Sequence, residues 1–129
     1  MGASASKENE PAALEFIETT IAAHPVTIFS KSYCPYCTMV RPSVFLTGSQ
    51  YAKDVMKQAG AAYHVVELDI KSDEPSGADI QGALATKTGR TTVPNVFINK
   101  VSVGGGTEVR ALFQSGKLTE MLKEAGVLA

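Results

Sequence analysis

Cys34 and Cys37 are the chain's only cysteines and stand three positions apart in Cys34-Pro35-Tyr36-Cys37. A disulfide between them would close a four-residue ring. The chain-entropy model gives such a ring about 2 kcal/mol, against about 4.7 for a 100-residue loop. The pair is therefore poorly placed to staple a fold, and thiol–disulfide exchange explains it better. The residues before it, Val26-Thr27-Ile28-Phe29, read as a short buried strand, and a helix is expected to open at Cys34. Unpaired N–H groups and the helix dipole would then favour a thiolate on Cys34, below the free value of about 8.5. Lys31, three residues upstream, adds a positive charge. Cys37, one turn further in, would stay protonated and resolve a mixed disulfide on Cys34. Pro35 in the first turn costs no hydrogen bond and stiffens the ring.

The pair has two other readings. Two cysteines can be half of a zinc site, but only His24 and His64 are left as soft ligands and neither has finger spacing. His24 is expected to end a helix and His64 to point outward from a strand. Two inert core thiols remain the plain alternative.

The elements that must position the pair are legible in outline. Pro11 suits a first helical turn, Leu14, Ile17 and Ile21 recur at helical spacing, and His24-Pro25 stops the helix. After Cys34, Met39, Val40 and Leu46 would face the core and Pro42 would kink the axis. Gly48-Ser49 reads as a break. A further helix carries Tyr51, Val55 and Ala59 and ends at Gly60. Tyr63 to Leu68 is a strand. Ser76 caps a helix bearing Ile80, Ala83 and Leu84, with Gly89 beyond its end. Asn95 to Ile98 and Val101 to Val103 form a hairpin about Asn99-Lys100. Leu112 and Phe113 mark one terminal helix, and Leu118, Met121 and Leu122 the other. The order α-β-α-α-β-α-β-β-α-α predicts an α/β fold, a mixed sheet with helices on both faces. Residues 1–8 read as a flexible tail and 9–129 as one domain.

Bulk properties exclude several classes. The chain has 129 residues, 44% of them apolar and 19% charged, with a net charge of −1. No bulk field points to nucleic acid or an anionic membrane. No apolar run suits a membrane span, and no apolar leader is visible, so a cytoplasmic, reducing compartment is expected. Gly2 and Ser6 fit the loose myristoylation pattern, for which a flexible tail is the simpler reading.

The stretch Phe29-Ser30-Lys31-Ser32-Tyr33-Cys34-Pro35-Tyr36-Cys37 is followed by Thr92-Val93-Pro94-Asn95-Val96-Phe97-Ile98, then Gly104-Gly105 and Gly116-Lys117-Leu118. Together these resemble the dithiol class of the glutaredoxin family over roughly residues 10–127. The resemblance implies a thioredoxin-like fold with a four-stranded mixed sheet. It implies glutathione as co-substrate and no metal. Cys34 would be the nucleophile and Cys37 its redox-active partner. Tyr36, Thr92, Val93 and Pro94 would belong to the glutathione site, with a cis Val93–Pro94 bond and the Val93 backbone pairing with the tripeptide like an added strand. Lys31 and Gln81 would meet the glycine carboxylate. Gly105, Gly106, Thr107 and Glu108 would grip the γ-glutamyl end, Glu108 facing its ammonium. Taken alone, the glycines read as a tight turn, and Gln81 and Glu108 as solvated helix positions. Implied partners are protein disulfides and glutathionylated proteins, with glutathione reductase acting indirectly, and a monomer is expected.

Three departures from the family pattern stand out. Gly106-Thr107-Glu108 replaces the commoner Cys-Ser-Asp or Asn-Ser-Asp, the connection from Cys37 to Tyr63 is long, and Pro42 sits where thioredoxins carry a kinking proline. Two rivals follow. One is a thioredoxin-like reductant, disfavoured because Tyr33 precedes Cys34 and the chain has no Trp. The other is a carrier of an iron–sulfur cluster ligated with glutathione, commoner where a small residue replaces Pro35.

Overall fold

The computed structural model describes residues 9–31 and 48–128. Its centre is strand β1 (Val26–Ser30), buried along its whole length, as is β3 (Asn95–Ile98) beside it. Strands read this way, apolar on both sides, when helices cover both faces. Side chains alternate: Val26, Ile28, Val96 and Ile98 enter one core, while Phe29 and Phe97 enter the other. The two phenylalanines meet edge to face at 5.7 Å between ring centres.

The sheet order is β2-β1-β3-β4. β2 (His64–Glu67) lies parallel to β1, with Thr27 opposite His64 and Ser30 opposite Glu67. β3 runs antiparallel to β1, and β4 (Val101–Gly104) antiparallel to β3. Asn99 and Lys100 form the hairpin turn with φ of 53° and 70°, the left-handed pair that a two-residue turn matched to strand twist requires.

Helices α1 (Glu10–Ala23) and α3 (Gly77–Thr88) pack Ala13, Ile17, Ile21, Ile80, Ala83 and Leu84 around Phe29 and Phe97. Helices α2 (Gly48–Ala59), α4 (Gly106–Ser115) and α5 (Lys117–Glu124) cover the other face through Ala52, Val55, Met56, Val109, Leu118 and Leu122. Ser76 caps α3 by accepting the Asp79 N–H at 3.1 Å, and Gly89 ends it at φ 79°.

The predicted order of elements holds across the described residues. Gly48-Ser49, read as a break before a further helix, are the first residues of α2, and what precedes them lies outside the described residues. β2 is one residue shorter at each end than Tyr63–Leu68, and β4 extends to Gly104. The tail 1–8, the helix expected from Cys34, and Pro42 lie outside the described residues. No described helix is long and apolar enough to cross a membrane.

Candidate active site

β1 ends at Ser30, and the chain leaves it through Lys31, which is exposed. Ser30 itself is fully buried, and its hydroxyl donates to Glu67 Oε1 on the neighbouring strand. Lys53 on α2 donates to the other Glu67 oxygen at 2.8 Å. One carboxylate thus ties two strands and a helix together at the end of the sheet from which the cysteine segment departs. Sequence reading did not find this cluster, because the partners come from three elements and the register of a parallel pair carries no local signal.

Beside it opens a cleft of about 510 Å³ lined by Lys31, Leu68, Asp69, Gly77, Gln81 and Thr91, among others. Helix α3 reaches this wall because Gly77 lies against the backbone of Leu68; a Cβ built on Gly77 would stand 1.9 Å from the Leu68 carbonyl oxygen. Close approach of two backbones is what selects glycine here. The structure therefore brings Lys31 and Gln81 to one cleft. Gln81 Nε2 donates to the Thr91 carbonyl at 3.0 Å, which holds the start of the Thr91–Pro94 segment against α3.

Thr92 is exposed, Val93 half-buried and Pro94 buried, and the Val93–Pro94 bond is cis. The next residue, Asn95, is wholly buried. Its amide donates to Thr88 Oγ1 at 3.2 Å and its carbonyl accepts from Ser102 Oγ at 3.3 Å, so a buried polar side chain is satisfied on both sides.

On the far side of Pro94 lies the turn into α4. Gly105 and Gly106 are buried there, and Thr107 and Glu108 are exposed. Glu108 Oε1 accepts the Gly105 N–H at 2.9 Å, the reach-back of a first-turn carboxylate to an orphan N–H. Arg90 Nη2 stands 3.6 Å from the same oxygen. The Gly105 N–H, first, and then the Glu108 N–H hold this carboxyl below the ordinary glutamate range against the opposing effect of burial, and Arg90 adds the smallest contribution in the same downward direction. Glu108, expected to face a ligand ammonium, thus already serves the turn. Arg90 was not singled out from the sequence; a lone arginine in a Gly-Arg-Thr-Thr stretch reads as a solvated loop residue.

The structure so resolves two groups. Lys31 and Gln81 share the cleft with Thr91; Pro94, Gly105 and Glu108 are gathered around Arg90. Cys34, Tyr36 and Cys37 lie outside the described residues. Among the described residues no group of three or more His, Cys, Asp or Glu is placed to hold a metal. His24 and His64, at the opposite end of β1, stack with ring centres 3.8 Å apart. Burial, then the charge of His24, lowers the His64 pKa.

The glutaredoxin family model matches residues 49–103. Glutaredoxin-C6 of Oryza sativa subsp. japonica is 43% identical over 117 residues, covering 91% of this chain and 91% of that protein. Among solved structures, the buckwheat glutaredoxin–glutathione complex aligns with a TM-score of 0.77 at 37% identity, over 96% of this chain and 99% of that one. Wheat glutaredoxin aligns with a TM-score of 0.75 at 42% identity, over 91% and 98%. The four-stranded mixed sheet with helices on both faces is accordingly a thioredoxin-like α/β fold.

Proposed function

The chain belongs to the glutaredoxin family, and from that premise we propose that it is a glutathione-dependent thiol–disulfide oxidoreductase acting through Cys34 and Cys37. The observation that carries this reading is the cleft shared by Lys31 and Gln81. Three residues after Lys31 the sequence reaches Cys34. A ligand carboxylate held in the cleft would leave the rest of a tripeptide to run along Thr92–Pro94 toward the Gly105–Glu108 turn. The family's solved members include a glutathione complex, which supports the same ligand here.

The Cys34 thiolate attacks the glutathionyl sulfur of a protein–glutathione disulfide. A Cys34–glutathione disulfide forms, and the target leaves as a thiolate that takes a proton from water. A second glutathione thiolate attacks the bound glutathionyl sulfur, giving glutathione disulfide and restoring the Cys34 thiolate. With a protein disulfide, Cys34 forms the mixed disulfide, and Cys37 attacks its Cys34 sulfur and releases the second target thiol. Two glutathiones then reduce the Cys34–Cys37 bond. Placement of Cys34 at a helix mouth would make it the better nucleophile and leaving group.

A glutathione-coupled assay on wild type, Cys34→Ser and Cys37→Ser tests the division of roles. Cys34→Ser is expected to lose all activity, and Cys37→Ser to keep activity on glutathione mixed disulfides. Equal partial losses in both variants would contradict it.

A further inference from the structure

Arg90 adds a side-chain bridge between two segments that the β3–β4 pairing, with Val96 opposite Gly104, brings side by side. Its Nε donates to the Pro94 carbonyl at 3.2 Å, and its Nη2 stands 3.6 Å from Glu108 Oε1. Its own backbone N–H donates to Thr88 Oγ1 at 3.1 Å, the hydroxyl that also accepts from Asn95. Backbone and guanidinium of Arg90 are therefore both anchored. The guanidinium lies where a Gly105 side chain would begin: a Cβ there would stand 2.1 Å from Nη2 and 3.2 Å from the Pro94 oxygen. The absence of a Gly105 side chain makes room for Arg90, and Arg90 bridges the Thr92–Pro94 segment and the α4 turn.

We propose that Arg90 is a positioning residue for the γ-glutamyl end of glutathione, setting the gap between the Pro94 segment and the Gly105–Glu108 turn and balancing the Glu108 charge. The proposal rests on the glutathione reading above and deepens it. A γ-glutamyl group carries an α-carboxylate as well as an ammonium. Beside an unbalanced Glu108 that carboxylate would be repelled; with Arg90 in place the turn carries no net side-chain charge. Only the planar fork of arginine serves the carbonyl and the carboxylate at once, so lysine is an incomplete substitute.

The test compares two adducts of one cysteine peptide, glutathione and cysteinylglycine, the second lacking the γ-glutamyl group. Steady-state kinetics are measured for wild type, Arg90→Ala and Arg90→Lys, with thermal melts alongside. Arg90→Ala is expected to raise KM for the glutathionylated peptide about tenfold, roughly 1.4 kcal/mol or one charge-assisted hydrogen bond. Its kcat should change less than KM, and its KM for the cysteinylglycine adduct should stay near wild type. Arg90→Lys should fall between. An equal change with both adducts, or none with either, overturns the role of Arg90. Failure of wild type itself to prefer the glutathione adduct removes the glutathione reading and this proposal with it, an outcome distinct from the first.

Discussion

Gly77 and Leu68 touch backbone to backbone, so that a Cβ on Gly77 would lie 1.9 Å from the Leu68 carbonyl oxygen and 2.8 Å from its carbon. The contact involves main chain on both sides, so no rotamer change can relieve a clash. It also fixes how near α3, and with it Gln81, stands to the end of β2, where the Leu68 N–H donates to the Ser30 carbonyl of β1 at 2.8 Å.

Gly77→Ala is therefore expected to push α3 outward. The cost should be about 3 kcal/mol, the upper part of the range for overpacking, read by urea denaturation. Glutathione binding should weaken as well, because Lys31 and Gln81 would no longer share one cleft. An alanine variant with wild-type stability would show that this contact does not set the helix position.

Asn95→Ala removes the donor to Thr88 and the acceptor for Ser102 in a fully buried place. Two hydroxyls then lose partners. Thr88 Oγ1 keeps its bonds to the Leu84 carbonyl and the Arg90 N–H, so the expected loss is about 2 kcal/mol, about 1 for each of the two bonds removed. Chemical denaturation checks it, and Asn95→Asp, which lacks the amide donor, should not restore stability.

His64 titrates below its ordinary value because burial and His24 disfavour its charged form. Below the unfolded value of about 6.5 the unfolded chain binds the proton more readily than the folded one. This contribution to stability is present above about pH 6.5 and is lost as pH falls through the lowered folded value. Melting temperature against pH should show that slope, and His64→Gln should flatten it.

Glu108 behaves in the same sense at lower pH. Its carboxylate accepts from the Gly105 and Glu108 N–H groups and faces Arg90, so its folded pKa is depressed. The stabilisation is present above the unfolded glutamate value of about 4.3 and is lost as pH falls through the folded one. Glu108→Gln should reduce the acid sensitivity of the melt between these values.

Much of this arrangement was legible in the sequence. The short apolar runs ending at Phe29 and spanning Phe97, the Ser76 cap, the Gly89 stop and the Asn99-Lys100 turn are local signals, and each element they mark is present. The cis Val93–Pro94 bond and the meeting of Lys31 with Gln81 came through family resemblance rather than local chemistry. Arg90, Lys53 and Glu67 were invisible for a different reason. Each acts across elements distant in sequence, and a charged residue on a loop, helix or edge strand looks solvated until its partner is placed.

The most direct measurement is a trap of the covalent intermediate. Reduced Cys37→Ser protein is mixed with one equivalent of glutathionylated peptide, quenched with acid, digested and mapped by mass spectrometry. The glutathione adduct is expected on Cys34, with free peptide thiol released in equal amount. Released thiol without an adduct on Cys34, or no exchange at all with the folded variant, would contradict Cys34 as the sulfur that takes the glutathionyl group.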